Sequence, residues 1–357
     1  MKLGFGFYKQ MLNREHYDFA VQCGATHAVV HLVDYFYQGD QAGQSTQPVG
    51  DATGWGLAGG TPDEMWSTAS LLQLRQSLND SGLELEAIEN FDPAHWHDVL
   101  LDGPQKQAQL ERLKQIIRSV GAAGIPIFGY NFSIAGVCGR LTKHNARGHA
   151  ETVGMDGADE VTETPMPDNM VWNMTYGVDG SQGVLPEISH EQLWERLSDF
   201  LQALVPVAQE AGVRLAAHPD DPPVSRLRRQ PRLVYQPDMY QRLLEIVPSR
   251  HNALEFCLGT LQEMTEGDIY EVCDRYTRQG DVAYIHFRNV RGKVPHYTET
   301  FIDEGDIDMR RIVAILQKND FQCVVIPDHT PQMTCQAPWH AGMAYAMGYM
   351  KALLDAH

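Results

Sequence analysis

The chain has 357 residues, of which 43% are hydrophobic, and this composition supports a large folded core rather than wholesale disorder. Its formal net charge of -18 at pH 7 repels phosphate backbones and anionic lipid headgroups, which disfavours binding to nucleic acid or to a membrane surface. No apolar run approaches the roughly 20 residues that span a bilayer, and the N-terminal residues lack the pattern of a signal peptide. We therefore expect a cytoplasmic protein.

The cysteines are scattered along the chain without paired spacing. They are Cys23, Cys138, Cys257, Cys273, Cys323 and Cys335. In a large protein of a reducing compartment, this distribution predicts free thiols rather than a disulfide framework.

Apolar runs alternate with amphipathic runs along the chain, which is the pattern of repeated strand–helix units. Strands are predicted over residues 3–8, 26–32, 85–89, 125–132, 213–218, 252–257, 282–287 and 323–327. Helices are predicted over residues 14–23, from near residue 62, and over 105–122, 190–211 and 341–354. The glycine-rich segment 49–60 is predicted to be a loop.

Eight strands with helices between them favour a (β/α)₈ barrel over an open doubly wound sheet. No GxGxxG motif follows the first strand, so a dinucleotide-binding fold has little support. Residues 133–188, after the fourth strand, interrupt the alternation of predicted strands and helices. Segments of such length are usually lids, binding loops or disordered. We expect one barrel domain over residues 1–357, with residues 133–188 as an inserted lid over the barrel mouth.

The fifth to eighth predicted strands each end in a residue that can bind a metal. These residues are His218, Cys257, His286 and Asp328. Because the active sites of such barrels lie at the carboxyl ends of the strands, the four side chains are expected to meet around one point. Imidazole, thiolate and carboxylate ligands together suit a borderline divalent cation such as Zn²⁺, Fe²⁺ or Mn²⁺. The pattern therefore predicts a catalytic metal site.

Each of these residue types also has an ordinary structural explanation. A lone histidine on a strand is more often a hydrogen-bonded core residue than a ligand, and a lone cysteine is more often a small buried hydrophobe. Cys273, within a predicted helix, and Cys323, at the start of a strand, fit that description. The coincidence of four strand ends in consecutive units is what favours the metal site.

An ordered series of motifs runs through the chain. In the second half they are His218-Pro219-Asp220-Asp221-Pro222-Pro223, Pro231-Arg232-Leu233-Val234, Cys257-Leu258-Gly259-Thr260, His286-Phe287-Arg288, Gly305-Asp306-Ile307-Asp308 and Pro327-Asp328-His329. Together with Glu89 and Tyr130-Asn131-Phe132, they resemble the mannonate dehydratase family of hexuronate catabolism. The resemblance implies a xylose-isomerase-like barrel with Mn²⁺ or Fe²⁺ on the four strand-end ligands, whereas ligand softness alone would favour Zn²⁺. It also implies elimination of water from D-mannonate to give 2-dehydro-3-deoxy-D-gluconate.

The resemblance implies roles for two side chains beside the ligands. Removing a proton α to a carboxylate requires that a metal or cations stabilise the developing negative charge, and Arg288 is a second anion partner for this purpose. His329 is the expected proton-transfer residue, because the family uses the matching histidine. Alternatively, Arg288 caps the barrel rim and His329 only orients Asp328.

Four further polar residues are expected at the same mouth. Glu89 and Asn131 lie at predicted strand ends, where they would bind substrate or support the metal ligands. Asp220 and Asp221 either hydrogen-bond sugar hydroxyls or hold the proline-rich turn in which they lie.

Two motifs depart from the family pattern. The family's N-terminal Trp-Arg-Trp-Tyr-Gly appears here as Gly4-Phe5-Gly6-Phe7-Tyr8, which lacks an arginine that could meet a substrate carboxylate. The family's C-terminal Gly-Tyr pair bears a catalytic tyrosine, whereas this chain reads Gly342-Met343-Ala344-Tyr345. Tyr345 could fill that role through a one-residue shift, which on a helix turns a side chain by about 100°.

Two other functions compete with a sugar-acid lyase. An isomerase or epimerase of the same barrel superfamily would act on a free ketose or aldose, but such enzymes usually bind their metal through several carboxylates, and the Cys257 thiolate counts against them. A noncatalytic protein that binds a sugar acid and keeps the metal for stability is the third interpretation. In each case the partner is a small molecule, and barrels of this type often form homo-oligomers through their helical faces.

Overall fold

Eight parallel strands form a closed barrel in the computed structural model, which describes residues 1–39, 55–177 and 183–356. The strands are β1 (Lys2–Phe7), β2 (His27–His31), β3 (Glu84–Glu89), β4 (Ile127–Tyr130), β5 (Arg214–Ala217), β6 (Asn252–Cys257), β7 (Val282–His286) and β8 (Val324–Ile326). Each pairs with its neighbours in chain order, and β8 pairs with β1 to close the barrel. The predicted (β/α)₈ fold is confirmed.

Helices connect the strands. They are α1 (Arg14–Gln22), α2 (Thr68–Asn79), α3 (Pro93–Leu101), α4 (Lys106–Ala122), α5 (Asp159–Glu163), α6 (His190–Ala211), α7 (Met239–Ile246), α8 (Leu258–Glu263), α9 (Ile269–Gln279), α10 (Met309–Lys318) and α11 (Pro338–Asp355). The longest, α6, begins at a capping box formed by Ser189 and Gln192 and ends at Gly212, whose φ of 71° suits a residue without a side chain. Across the described ranges, no helix has the length and apolarity needed to cross a membrane.

The helix predicted from near residue 62 begins later than expected. A short 3₁₀ turn, Asp63–Trp66, follows Pro62. Helix α2 begins at Thr68 because the Ser67 hydroxyl caps its N-terminus by accepting a hydrogen bond from the Ser70 amide. In the loop predicted over residues 49–60, residues 55–60 contain no helix, and residues 49–54 lie outside the described residues.

The insertion predicted as a lid is ordered in its described part. Four antiparallel strands form a small sheet in the order Val290–Lys293, His296–Glu299, Ala150–Asp156 and Leu141–Ala146. The segment after β7 therefore joins the segment after β4, and we call this the cap sheet. Val137, Arg140 and Trp172, from the insertion, face the barrel mouth. Closure of the insertion over a bound molecule stays a prediction.

A small apolar cluster with residues from β2 to β8 fills the barrel interior below the mouth. Its members are Val29, Ala87, Ile127, Ala216, Ala253, Ala283, Tyr284, Val324 and Ile326. Because this layer is packed, the polar side chains at the carboxyl ends of the strands have access only toward the mouth.

Gly129 of β4 faces the floor of the mouth, where there is no room for a side chain. A Cβ there would overlap Tyr284 Oη and come within 2.8 Å of Glu255 Oε2. We expect Gly129→Ala to destabilise the protein by about 1–3 kcal/mol in urea unfolding, because the crowded groups must shift. Gly6→Ala is the control, since its added Cβ meets Ile326 Cδ1 at an ordinary 3.4 Å. Equal stability of the two variants would contradict this close packing.

Candidate active site

A cleft of about 570 Å³, measured to its open mouth, lies at the carboxyl ends of the strands. Eight of the side chains predicted from the sequence line it. They are Glu89, Asn131, His218, Asp221, His286, Arg288, Asp328 and His329. As expected for a barrel active site, residues at the carboxyl ends of β3, β4, β5, β7 and β8 therefore lie in one cleft.

Three of the four predicted metal ligands converge. One ligand atom from each of His218, Cys257 and His286 lies within 4.8 Å of the other two. Cys257 and His286 are register partners on β6 and β7, which places them side by side. The Pro219 carbonyl accepts a hydrogen bond from His218 Nδ1 at 2.6 Å, so His218 Nε2 is the nitrogen that can bind a cation.

Asp328, the fourth predicted ligand, lies next to this group rather than within it. Its Oδ2 is 3.7 Å from His286 Nδ1, 3.2 Å from Arg288 Nη1 and 3.3 Å from His329 Nε2. The carboxylate therefore contacts an arginine as closely as it approaches the imidazoles. Although burial opposes ionisation, the neighbouring His329, His286 and Arg288 hold the pKa of Asp328 well below its usual range.

Two buried glutamates lie beside the imidazoles, and one of them, Glu255, was not predicted from the sequence. Glu255 Oε1 lies 3.0 Å from His286 Nε2 and 3.9 Å from His218 Nε2. Glu89 Oε2 lies 3.3 Å from His286 Nε2. Burial and the nearby Glu89 carboxylate raise the pKa of Glu255 to about 8.

The donor set fits a divalent cation. Burial opposes ionisation of Cys257, but the Arg288 guanidinium and the neighbouring His218 and His286 imidazoles lower the pKa of this thiol to about 5. Within the described ranges, both nitrogens of His286 and Oε2 of Glu89 are buried without a hydrogen bond. Buried donor atoms without partners, next to a thiolate and carboxylates, are the arrangement that a bound dication would satisfy.

Metal binding should weaken as the pH falls. Burial favours neutral His218, but the Glu255 carboxylate and Cys257 raise the pKa of its imidazole to about 9 in the metal-free protein. A cation must displace that proton, so affinity for Mn²⁺ should rise about tenfold per pH unit below this pKa from His218 alone. Calorimetric titration between about pH 6 and pH 8 measures the slope. A flat profile would contradict proton displacement from the imidazole.

A second buried network surrounds His329. Glu299, from the cap sheet, accepts a hydrogen bond from His329 Nδ1 at 2.6 Å. The same carboxylate accepts a hydrogen bond from Arg288 Nη1 at 3.1 Å and another from Arg140. Although burial opposes ionisation, Arg140, His329 and Arg288 keep the pKa of Glu299 below its usual value, so the carboxylate is the acceptor.

Three neighbours surround the His329 ring. Its Nδ1 lies 2.6 Å from Glu299 Oε2, and its Nε2 lies 3.4 Å from Arg288 Nη1 and 3.3 Å from Asp328 Oδ2. Nε2 can therefore accept a hydrogen bond from the arginine or donate one to the carboxylate. His329 lines the cleft, so this nitrogen lies where a proton can be exchanged.

The two adjacent aspartates have different surroundings. Asp221 lines the cleft and accepts hydrogen bonds from Arg288 Nη2 at 2.8 Å and from Thr260 at 3.2 Å. Asp220 Oδ2 instead accepts the amides of Leu233 and Val234 at 2.7 and 2.8 Å. Asp220 Oδ1 lies 2.8 Å from Arg232 Nε. Asp220 therefore holds the loop after β5, and the structure does not bring it to the cleft as a sugar ligand.

Comparison with known protein families shows to which family the chain belongs. The family model described as D-mannonate dehydratase (UxuA) matches residues 46–356, which is well over half of the sequence. The chain belongs to the D-mannonate dehydratase family. Dehydratases are hydro-lyases, so the enzyme class predicted from the sequence is confirmed.

Two relatives show how far the likeness to this family extends. A mannonate dehydratase of Streptococcus pneumoniae (strain 70585) is 31% identical over 276 residues, covering 74% of this chain and 75% of its own. The crystal structure of mannonate dehydratase from Streptococcus suis serotype 2 has a TM-score of 0.76 at 25% identity, covering 100% of this chain and 93% of that one.

A third protein shares the fold alone. The structure of a xylose isomerase domain protein from Planctomyces limnophilus has a TM-score of 0.58 at 11% identity, covering 99% of this chain and 98% of that one. This likeness confirms that the barrel is xylose-isomerase-like.

The N-terminal motif that differs from the family pattern lies outside the residues that the family model matches. This part of the chain contributes aromatic side chains to the lining of the cleft. Tyr8, after β1, stacks on His31 with ring centroids 5.0 Å apart, and the Tyr35 hydroxyl lies 2.9 Å from His31 Nδ1. Tyr35 in turn stacks on Trp172 of the insertion. Sequence reasoning missed these residues, although Tyr8 and His31 lie at strand ends like the predicted ligands.

The structure does not place Tyr345 in the cleft of this family member. Its ring packs on Phe301, and its hydroxyl accepts a hydrogen bond from Arg147 Nη2 at 3.3 Å. We expect Tyr345→Phe to change kcat less than about twofold, because no cleft residue contacts that hydroxyl in the described part of the chain. A kcat loss of about 100-fold in steady-state kinetics would show that Tyr345 reaches the reacting atoms.

Proposed function

We propose that the protein dehydrates D-mannonate to 2-dehydro-3-deoxy-D-gluconate and water in a reaction that depends on a divalent cation. The observation that supports this most is the convergence of His218, Cys257 and His286, because two of these residues, His218 and His286, line the same cleft as His329. A metal-ligand group and a proton-transfer group in one pocket are what the elimination of water from a sugar acid requires.

His218, Cys257 and His286 would hold the cation, with Asp328 and Glu255 as the nearby carboxylates. When bound, the cation would stabilise the negative charge that develops on the substrate carboxylate as its α proton leaves. The mixed nitrogen, sulfur and oxygen donors are compatible with Mn²⁺ or Fe²⁺, our preferred metals, and Zn²⁺ is the alternative.

His329 is the proposed proton-transfer residue. Its ring lines the cleft with Nδ1 held by Glu299, so Nε2 can take the proton from C2 of the hexonate and deliver it to the C3 hydroxyl, which departs as water. The resulting enol then tautomerises to the 2-keto acid. Glu299 holds His329 through Nδ1 and favours the protonated imidazole once the proton has moved.

Two buried guanidinium groups, those of Arg140 and Arg288, line the cleft. They take the place of the arginine that the N-terminal motif lacks as partners for the substrate carboxylate. Each also contacts a protein carboxylate, Glu299 or Asp221, which fixes the guanidinium planes before substrate arrives. Asn131, whose amide nitrogen donates to the Pro219 carbonyl, and Glu89 are the proposed partners of the sugar hydroxyls.

The test is to incubate protein loaded with Mn²⁺ with D-mannonate and to detect a 2-keto-3-deoxy acid. A panel of epimeric hexonates and free ketoses serves as the control. Product from D-mannonate alone supports the proposal, and no product at full metal occupancy contradicts it. Interconversion of a free ketose would instead favour the isomerase or epimerase, and tight binding without turnover the noncatalytic interpretation. A cytoplasmic location and a homo-oligomeric state stay predictions from the sequence.

A further inference from the structure

Two groups of side chains line the cleft. One group is polar, and in it Arg140, Arg288 and His329 contact the same carboxylate, that of Glu299. The other group consists of aromatic rings, which we call the aromatic wall. Its members are Tyr35, Trp55 and Trp172. Pockets for small molecules combine apolar or aromatic walls with a few polar groups that fix orientation. The aromatic wall therefore has the character of a binding surface for the less polar part of a ligand.

The rings of the aromatic wall pack on one another. Tyr35 stacks on Trp172 with ring centroids 5.5 Å apart and an interplanar angle of 27°. Trp55 meets both rings edge-on, with centroid distances of 6.0 Å to Tyr35 and 5.7 Å to Trp172. These are the offset-stacked and edge-to-face arrangements that aromatic pairs prefer. The wall is therefore formed before a ligand binds, which lowers the entropic cost of binding.

The aromatic wall is connected to the proposed cation site. Asn90 Nδ2 donates a hydrogen bond to the Tyr35 hydroxyl at 2.9 Å, and His31 Nδ1 lies 2.9 Å from the same hydroxyl. His31 Nε2 lies 3.7 Å from Glu89 Oε2, which is 3.3 Å from His286 Nε2. A linear molecule held at the imidazoles can therefore reach the wall within the same cleft.

Trp172 has a backbone conformation that its residue type seldom adopts. The strands Met170–Val171 and Met174–Thr175 pair antiparallel, and Trp172 and Asn173 form the turn between them with φ values of 54° and 58°. Two-residue turns with positive φ at both positions favour asparagine, aspartate and glycine, and a bulky residue there is an outlier. Such strain concentrates at functional sites, so it points to a role for this indole.

Hydrogen bonds from other segments fix this turn. The Trp172 amide donates to the Ile134 carbonyl at 2.6 Å, and the Trp55 amide donates to the Asn173 carbonyl at 2.7 Å. Arg228 Nη1, from the loop after β5, donates to Asn173 Oδ1 at 3.3 Å. The indole of Trp172 is therefore held in the lining of the cleft by its backbone as well as by its ring contacts.

We propose that Trp172 and Tyr35 bind the C4 to C6 end of the sugar acid and set the chain length that the enzyme prefers. The inference rests on the proposed function, which places C1 to C3 at the cation, the arginines and His329. The C–H groups of a sugar chain form an apolar surface, which an aromatic ring can cover. A shorter sugar acid would not reach the wall and would lose this contribution.

The experiment measures the binding of linear aldonates with four, five and six carbons by calorimetry. The protein is His329→Gln loaded with Mn²⁺, in which no aldonate should turn over. Affinity should rise about 10-fold or more from the four-carbon to the six-carbon aldonate. Adding Trp172→Asn should remove most of this rise and leave binding of the four-carbon aldonate unchanged, since asparagine suits the turn but has no ring. Trp172→Phe should keep part of the rise.

Trp339→Ala is the matched control. Trp339 packs on Phe5 and Phe19 and is not among the residues that line the cleft in the described ranges, so this variant should keep the full dependence on chain length. An equal loss of affinity for all three aldonates in Trp172→Asn would show a purely structural role and overturn the inference. So would binding that does not depend on chain length before Trp172 is changed, or no binding of any aldonate.

A crystal structure with Mn²⁺ and a six-carbon aldonate keeps the inference testable if Trp172→Asn does not fold. Carbons C5 or C6 within about 4.5 Å of the Trp172 ring support the proposal, and their absence from this distance overturns it. Neither readout depends on turnover. Dependence on chain length without dehydration of D-mannonate by the wild-type enzyme would defeat the proposed function alone. Dehydration of D-mannonate with equal losses for all three aldonates in Trp172→Asn would defeat this inference alone.

Discussion

Replacing His329 with glutamine should lower kcat by about 10²- to 10⁴-fold while the metal content stays at the wild-type level. His329 lines the cleft, and Glu299 fixes its ring through Nδ1. Glutamine fills similar space but cannot take up and release a proton near neutral pH. Steady-state kinetics with D-mannonate and metal analysis of the same preparation measure the two effects.

The control for this variant is His251→Gln. His251 donates from Nδ1 to the Val213 carbonyl at the opposite end of the barrel, so its loss should leave kcat unchanged. If His329 only orients Asp328, metal content and kcat would fall together in His329→Gln. Unchanged kcat in this variant would exclude His329 as the proton-transfer residue.

Replacing Cys257 with alanine should weaken metal binding more than about 100-fold, because a thiolate with a pKa of about 5 is lost from the ligand group. Burial raises the pKa of Cys273, a second fully buried cysteine, to about 12, so Cys273 stays a neutral thiol in the core. Cys273→Ala should therefore keep wild-type metal content. Metal analysis of both variants after the same purification measures the difference.

Both cysteine variants remove the same buried atoms, which makes them a matched pair. Cys273→Ala should lose stability through the cavity it creates without losing metal. Equal metal retention in the two variants would disprove Cys257 as a ligand. An equal loss in both would indicate that unfolding, rather than ligation, controls metal content.

The barrel and the three converging ligands could be predicted because both depend on local pattern. Parallel strands buried on both faces appear as nearly continuous apolar runs, and β5, β6 and β7 were predicted to within one residue of their observed ends. The rule that barrel sites lie at the carboxyl ends of strands then places His218, Cys257 and His286 together.

The other site residues could not be predicted with the same certainty, because their neighbours are distant in sequence. The cap sheet pairs His296–Glu299 with Ala150–Asp156, and only this pairing brings Glu299 to His329. The insertion shows no regular hydrophobic periodicity in its sequence, because its short strands are stabilised by pairing with strands of the segment after β7. Glu255 could have been identified from the sequence. Side chains alternate between the two faces of a strand, so Glu255, two residues before Cys257 on β6, lies on the same face as that predicted ligand.

The sequence by itself determined the barrel, the hydro-lyase family and the group His218, Cys257 and His286, since periodicity, motif order and strand ends are local properties. Only the tertiary structure decided which acidic side chains face the imidazoles. Asp220, Asp221, Glu255 and Asp328 carry the same functional group, so their chemistry cannot separate them. Their roles differ because the packing of strands, turn and cap sheet sets how far each carboxylate lies from the imidazoles and the arginines.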